Sequence, residues 1–173
     1  PLPTSLDVRK AAARGVEVMG LLKPRDLQRF RSLLADDDGA IEARLQFYRD
    51  EEMRTLVHVK VQADVAVICQ RCLGSMAEHL ASDNILAVVA TDEQAAQLPR
   101  QLDPCIVAEQ TCSLWELVEE ELILALPPFS YHDTDDCKKI IGEFSDPEPD
   151  TATEENKPNP FNVLAQLKPG SEH

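Results

Sequence analysis

The sequence predicts an α+β fold in which an antiparallel sheet, arranged as a meander or a barrel-like sheet, packs against a few helices. Two observations lead to this prediction. Apolar and polar residues alternate over residues 41–47 and again over residues 53–68, which is the period of half-buried strands. The helical patterns precede and follow these strands rather than alternating with them, which argues against a βαβ series.

Two further segments complete the predicted sheet. Residues 16–22 are apolar enough for one strand, and residues 76–89 for another strand or two. Residues 49–52 are polar and suit a hairpin connection. The long strand that ends at residue 68 leads into a turn that contains Cys69 and Cys72.

Capping signals predict the helices. Pro24 suits the first position of a helix, and apolar residues follow at helical spacing at Leu27, Phe30, Leu33 and Leu34. Thr91 and Gln94 form a capping box for a short helix over residues 92–98.

The strongest helical pattern covers residues 114–126. Ser113 and Glu116 form its capping box, and Pro127-Pro128 ends it. We expect Trp115 to be a core anchor and Glu119 to point outward. The core face of this helix is predicted to contain Leu114, Leu117, Val118, Leu122 and Ala125.

The chain is strongly acidic, which bears on its partners. It has 173 residues, with 17 basic and 31 acidic ones, a net charge of -14 and a pI near 4.6. Such a charge repels phosphate backbones, so we expect no DNA partner and no general coating of nucleic acid. No apolar run is long enough for a membrane span, and no signal peptide is recognisable, so we expect a cytoplasmic protein without a membrane partner.

Cys69-Gln70-Arg71-Cys72 is the main candidate for chemistry. Two thiols at this spacing can bind a metal or form a redox disulfide, or they can be small residues at a strand end. A redox role needs a helix that begins at the first cysteine, and Leu73-Gly74-Ser75 does not begin a convincing one.

His132 and Cys137 are the candidates for the second half of a zinc site. They lie in a predicted polar loop over residues 129–137, where we expect Cys137 to lie outside the core. Structural zinc takes four nitrogen or sulfur ligands, so Cys69, Cys72, His132 and Cys137 would complete one Cys3His site. Cys105 and Cys112 are expected to be buried thiols.

Residues 1–35 are the only clearly positive segment, with seven basic and three acidic residues. The arginines of the predicted helix are either a solvated face or a contact for phosphate or an acidic partner. The candidate cations for binding RNA or another partner are Arg25, Arg29, Arg31 and Arg71, with Arg44, Arg54 and Lys60 on the strands.

The predicted domain organisation has three parts. Residues 1–139 form one α+β domain, and residues 140–156 form an acidic, flexible linker. Residues 157–168 form a short docking motif that either packs on the domain or binds a partner. The candidate binding residues of this motif are Lys157, Pro158, Asn159, Pro160 and Phe161.

Several of these motifs, in this order, resemble the bacterial YceD family, whose members are called large ribosomal RNA subunit accumulation proteins. The motifs are Cys69-Gln70-Arg71-Cys72, residues 92–95 with Leu98-Pro99, residues 119–127, His132-Asp133 with Cys137, and residues 157–168. The resemblance covers nearly the whole chain. It implies a role in the synthesis, processing or stability of 23S rRNA, hence in large-subunit biogenesis in the cytoplasm, and implies no known enzymatic activity.

Two hypotheses follow. In the first, the chain is a non-enzymatic binding module that contacts an rRNA precursor, or that holds a basic ribosomal or assembly protein on its acidic surface. In the second, it is a Cys-dependent enzyme, a nuclease or redox protein, that acts on RNA or on ribosome assembly factors. A nuclease needs carboxylates or histidines clustered on one face, which the sequence does not show, so we favour the binding module.

Overall fold

A computed structural model describes residues 1–143 and residue 161. The helices are α1 (Val8–Arg14), α2 (Gln28–Arg31), α3 (Asp92–Ala96), α4 (Leu114–Ala125) and α5 (Asp135–Glu143). The strands are β1 (Ser5–Asp7), β2 (Glu17–Leu22), β3 (Gly39–Arg49), β4 (Thr55–Ile68), β5 (Ser75–Val89), β6 (Asp103–Ile106) and β7 (Thr111–Ser113).

The main sheet has the order β2-β3-β4-β5-β6, and its first four strands form an antiparallel meander. The short strand β6 is added parallel to the end of β5, and β1 pairs with β7 in a separate two-stranded sheet. The α+β prediction with a mainly antiparallel sheet is therefore confirmed in its meander form. The five strands do not close into a barrel among the described residues.

One face of the meander forms the core. Alternate side chains of β3 and β4 are fully buried beneath α1 and α4, as the period-2 pattern predicts. The predicted core face of α4 is buried at Leu114, Leu117, Val118 and Leu122, while Trp115 is half-buried and packs against the core. The opposite face of the sheet stays exposed in the described part of the chain, so the core is a single layer between sheet and helices.

The predicted helix from Pro24 to Leu34 is wrong in its length. A 3-10 turn over Pro24–Asp26 ends at Leu27, whose extended backbone lets its side chain be buried, and α2 then covers only four residues. Leu33 is 51% exposed and lies outside the core.

A side chain of α4 explains why this helix begins only after Leu27. The Glu119 carboxylate accepts hydrogen bonds from the backbone N–H groups of Arg29 (2.7 Å) and Phe30 (3.1 Å). It thereby caps the first turn of α2, where Leu27 offers no side-chain cap. The prediction that Glu119 points outward is consequently wrong, because its side chain is buried.

The predicted polar loop over residues 129–137 is also wrong at its end. Helix α5 begins at Asp135 and includes Cys137, whose side chain is 4% exposed. The helix also takes in residues 140–143 of the predicted linker. The rest of that linker and the 157–168 motif lie outside the described residues, except for Phe161, which is exposed.

Replacing Glu119 should destabilise the fold in a pH-dependent way. Burial raises the pKa of this carboxyl, but the N–H groups of Phe30 and Arg29 and the Arg29 guanidinium outweigh it and hold the pKa below its usual range. A depressed pKa means that the stabilisation is present at neutral pH and is lost as pH falls through the folded-state pKa. We expect Glu119→Gln to lower the free energy of unfolding by about 1–2 kcal/mol at pH 7.

Urea unfolding measures this effect, and the difference from wild type should shrink at acidic pH. Glu120→Gln is the matched control, because Glu120 is 55% exposed and, within the described residues, its ion pair is with the Arg29 guanidinium. Its effect should stay below about 1 kcal/mol. Equal losses for the two variants would contradict the capping role of Glu119.

Candidate metal centre

The Cys69–Cys72 turn connects β4 to β5 as a tight corner. The Cys69 N–H donates to the carbonyl of Gly74 (2.9 Å), and the Leu73 N–H donates to the carbonyl of Cys69 (2.9 Å). Leu73 adopts a left-handed backbone with φ 58°, which is unfavourable for leucine and is kept here by the surrounding turn. This geometry turns both thiols toward the same point.

The chain after α4 docks onto this corner. The Gln70 N–H donates to the carbonyl of Ser130 (2.9 Å), and the His132 N–H donates to Cys69 Sγ (3.5 Å). Cys137 then approaches from α5, with its Sγ 3.5 Å from Cys69 Sγ. The four residues predicted from the sequence are therefore brought together, and their ligand atoms all lie within 4.8 Å of one another.

The orientation of His132 leaves one ring nitrogen available as a ligand. Its Nε2 lies 3.2 Å from the carbonyl oxygen of Ser75, and its Nδ1 lies 3.3 Å from Cys72 Sγ. Because a carbonyl only accepts hydrogen bonds, Nε2 must carry the proton of the neutral ring. Nδ1 then presents its lone pair to the centre of the cluster, and the Ser75 contact is the outer-shell bond that metal-binding histidines commonly make.

Backbone N–H groups lower the pKa of the Cys69 thiol. Burial raises its pKa, but N–H groups of Cys72 and His132 point at the sulfur and lower the pKa more strongly. The Arg71 N–H and the Cys137 thiol add to this lowering, and the resulting pKa of Cys69 is about 5. Burial and the neighbouring Cys69 raise the pKa of Cys137 instead. The cluster therefore holds at least one thiolate at neutral pH, and the thiolate is the form that binds a metal.

The cluster has the composition of a closed metal site, and two of its separations fit one. Ligands about 2.0–2.3 Å from a tetrahedral zinc ion lie roughly 3.3–3.8 Å apart, as calculated from those bond lengths. The Cys69–Cys137 and Cys72–His132 separations of 3.5 and 3.3 Å lie in this range, and the other ligand atoms are within 4.8 Å of one another. Three sulfurs and one nitrogen would supply all four ligands of a bound zinc ion, a donor set that is typical of structural rather than catalytic sites.

An exposed aromatic group, which no sequence motif predicted, borders the cluster. The Arg71 guanidinium lies 4.6 Å from the centre of the Tyr131 ring, and Tyr131 stacks on Phe129 with 6.3 Å between ring centres. Arg71 is therefore engaged by an aromatic ring as well as being a predicted partner contact. The sequence signal for this arrangement was the pair of aromatic residues, Phe129 and Tyr131, shortly before His132.

Most of the other predicted cations are paired with acidic residues. Arg29 contacts Glu119 and Glu120 at 2.9 and 2.7 Å, and Arg31 contacts Asp37 at 2.5 Å. On the sheet, the pairs are Arg44–Glu17, Arg54–Asp50, Arg54–Glu52 and Lys60–Asp83. Arg25 is exposed and makes no ion pair with the described residues. Three of the seven basic residues of the positive segment over residues 1–35 are therefore paired with carboxylates within the fold.

An α+β protein with an open meander and a Cys3His corner is the class that the fold and site define. Within the described residues, no helix has the length and apolarity to cross a membrane. The profile of the family described as large ribosomal RNA subunit accumulation protein YceD matches residues 57–168. The chain is also similar to the Haemophilus influenzae protein named Large ribosomal RNA subunit accumulation protein YceD, with 33% identity over 96% of each chain. No solved structure matches the chain.

The chain therefore belongs to the YceD family, as the order of its motifs predicts. The family match spans the whole Cys3His corner, since residues 69–137 lie within it.

The pKa of Cys69 can be tested on metal-free protein. Because the folded protein lowers this pKa to about 5, the ultraviolet absorbance of the thiolate should persist at neutral pH and disappear as the solution is acidified through about pH 5. The difference between wild type and Cys69→Ser isolates this signal from the other thiols. A difference that appears only near pH 8–9, the range of an ordinary thiol at about 8.5, would contradict the N–H···S stabilisation.

Proposed function

We propose that this protein is a non-enzymatic factor for the accumulation of 23S rRNA and for large-subunit biogenesis in the cytoplasm. It acts by binding, either to precursor rRNA or to a basic ribosomal or assembly protein. The observation that carries this proposal is the 33% identity, over 96% of both chains, to a protein named for large ribosomal RNA subunit accumulation. Because the similarity covers nearly all of both chains, we infer that the two proteins have the same role.

Binding rather than catalysis is supported by the Cys3His cluster. Catalytic metal sites keep one position for water or substrate, whereas three thiols and an imidazole leave none. The thiolate of Cys69 has the low pKa of a redox thiol, but its side chain is 0% exposed and faces Cys137 rather than solvent. This burial weighs against the alternative of a Cys-dependent enzyme.

We propose that Zn²⁺ is held by Cys69, Cys72, His132 and Cys137 and that its role is structural. The ion would join the β4–β5 corner to the segment after α4, two parts of the chain about 60 residues apart. The N–H groups around Cys69 and the carbonyl of Ser75 hold the ligands in the protonation states that zinc needs.

The zinc proposal predicts about one zinc ion per chain by elemental analysis. The double variant Cys69→Ser, Cys72→Ser should lose the ion and several kcal/mol of stability, equivalent to a fall in Tm of roughly 10 °C. Cys105→Ser is the control, because Cys105 lies outside the cluster, and it should keep the zinc. Absence of zinc from wild type, with unchanged melting of the double variant, would sink the proposal.

The charges favour a basic protein over RNA as the direct partner. The net charge is -14, and Arg29, Arg31 and the sheet cations are already matched by carboxylates. A phosphate backbone would have to displace these pairs against the field of the whole chain. A basic protein is instead attracted by that field.

Crosslinking of the full chain in cells, followed by affinity purification, tests which partner is touched. We expect protein adducts to dominate, and Arg25→Glu with Arg31→Glu to change recovery of large-subunit particles less than about twofold, since these arginines would not carry the contact. The variant avoids Arg29, whose partner Glu119 is buried. RNA adducts at Arg25, Arg31 or Arg71 would show the RNA mode instead.

Depletion of the protein tests the role itself. We expect the ratio of large- to small-subunit rRNA to fall and to be restored by the wild-type chain. An unchanged ratio would overturn the proposed function, whichever partner is bound.

A further inference from the structure

A groove of about 850 Å³ lies between α4, strand β6 and the turn that precedes α2. It is on the helical side of the molecule. One wall of the groove is formed by α4 from Trp115 to Leu124. The opposite wall is formed by β6, the strand at the edge of the sheet. We call it the α4 groove.

Apolar side chains are accessible in the α4 groove. Leu124 is 75% exposed and Ile106 is 48% exposed, and both line it. Trp115 is half-buried there, and its indole N–H donates to the carbonyl of Leu2 (3.1 Å), which holds the ring in place. A tryptophan beside exposed aliphatic side chains is typical of a protein-binding hot spot. Because the Trp115 ring is already held in place, binding a partner would cost little additional side-chain entropy.

The charge of the α4 groove is strongly negative. Its lining has six carboxylates and one guanidinium, that of Arg29. Two of the carboxylates are buried and already bonded within the fold. Glu119 caps α2, and Glu121 accepts from Ser82 Oγ (2.5 Å) and Asn84 Nδ2 (2.7 Å).

The remaining acids lie at the rim. Asp26, Asp103, Glu116 and Glu120 are exposed, and Arg29 contacts only Glu120 among these four. Asp103 and Glu116 make no ion pair with the described residues. The groove therefore has exposed carboxylates free to meet cations beside accessible apolar side chains.

We propose that the α4 groove is a docking site for a Lys- and Arg-rich segment of a protein partner that carries an apolar side chain at its centre. The apolar residue would contact Trp115, Ile106 and Leu124, and the flanking cations would meet Asp103, Glu116 and Glu120. Charge complementarity selects this occupant, since RNA would be repelled and a second copy of the chain would bring the same negative charge. This inference deepens the proposed function, because it locates the surface that would hold the basic partner. It rests on the proposed function only in taking that partner to be a ribosomal or assembly protein.

Binding of a synthetic peptide to the full chain tests the groove directly. The probe is a fluorescent peptide of alternating Lys and Arg with a central Leu pair, followed by fluorescence anisotropy. Asp103→Lys combined with Glu116→Lys should weaken binding about tenfold or more, and added salt should weaken wild-type binding. Leu124→Ser should weaken it about threefold or more, because the apolar contact is lost.

The control separates a local site from general attraction to an acidic protein. Glu42→Lys combined with Asp64→Lys makes the same change of charge at exposed positions of β3 and β4, on the open face of the sheet. This variant should bind within about twofold of wild type. Circular dichroism and melting curves check that all variants fold.

Equal weakening by the two charge variants, or wild-type binding by both, would overturn the α4 groove as the site. Tight binding of a single-stranded RNA oligonucleotide that competes with the peptide there would also overturn it, in favour of a nucleic-acid site. These results are independent of the depletion experiment. The peptide measurement can fail while rRNA accumulation still depends on the protein, and the reverse can also hold.

Discussion

The register between β4 and β5 is the constraint on which the rest of the structure depends. The two strands pair from Leu56 opposite Ala87 to Ile68 opposite Ser75, and this pairing leaves residues 69–74 as a corner with no freedom of length. The same register places Ser82 and Asn84 where the buried Glu121 carboxylate of α4 can accept their hydrogen bonds. A slip of one residue would reverse the faces of β5 and break both arrangements.

The Cys69–Cys72 corner and the α4 groove differ in what their side chains suit: the corner suits a structural role, and the groove suits binding of a partner. At the corner, backbone N–H groups stabilise a buried thiolate, and the chain itself offers four candidate metal ligands. In the groove, carboxylates at the rim remain exposed around an anchored tryptophan. A closed donor set suits a link within the fold, while exposed charge and apolar surface suit a partner.

The arginines show why local sequence is a poor guide to a binding face. Arg25, Arg29 and Arg31 follow one another at spacings that predict one positive helical surface. The structure shortens that helix and pairs Arg29 with a helix 90 residues further along the chain. An excess of acidic residues favours such pairing, so several cations in the described part of the chain are matched within the fold.

The sequence by itself determined the meander, most of α4, the family and the Cys-x-x-Cys half of the Cys3His cluster, and it offered His132 and Cys137 as candidates for the other half. Strand alternation, capping boxes and the Cys-x-x-Cys spacing are local patterns, and local backbone preference is enough to express them. Only the tertiary structure decided that Glu119 and Glu121 are buried, that Cys137 lies within a helix, and that α2 is one turn long. The burial of Glu119 and Glu121 and the start of α2 depend on hydrogen bonds between residues more than 35 positions apart, which no window of sequence contains. The helix at Cys137 has a local cap at Thr134, but the contact of Cys137 with Cys69 spans 68 positions. The Cys69–Cys72 turn was predictable as half of a site, but its closure by His132 and Cys137 required the segment after α4 to dock on it.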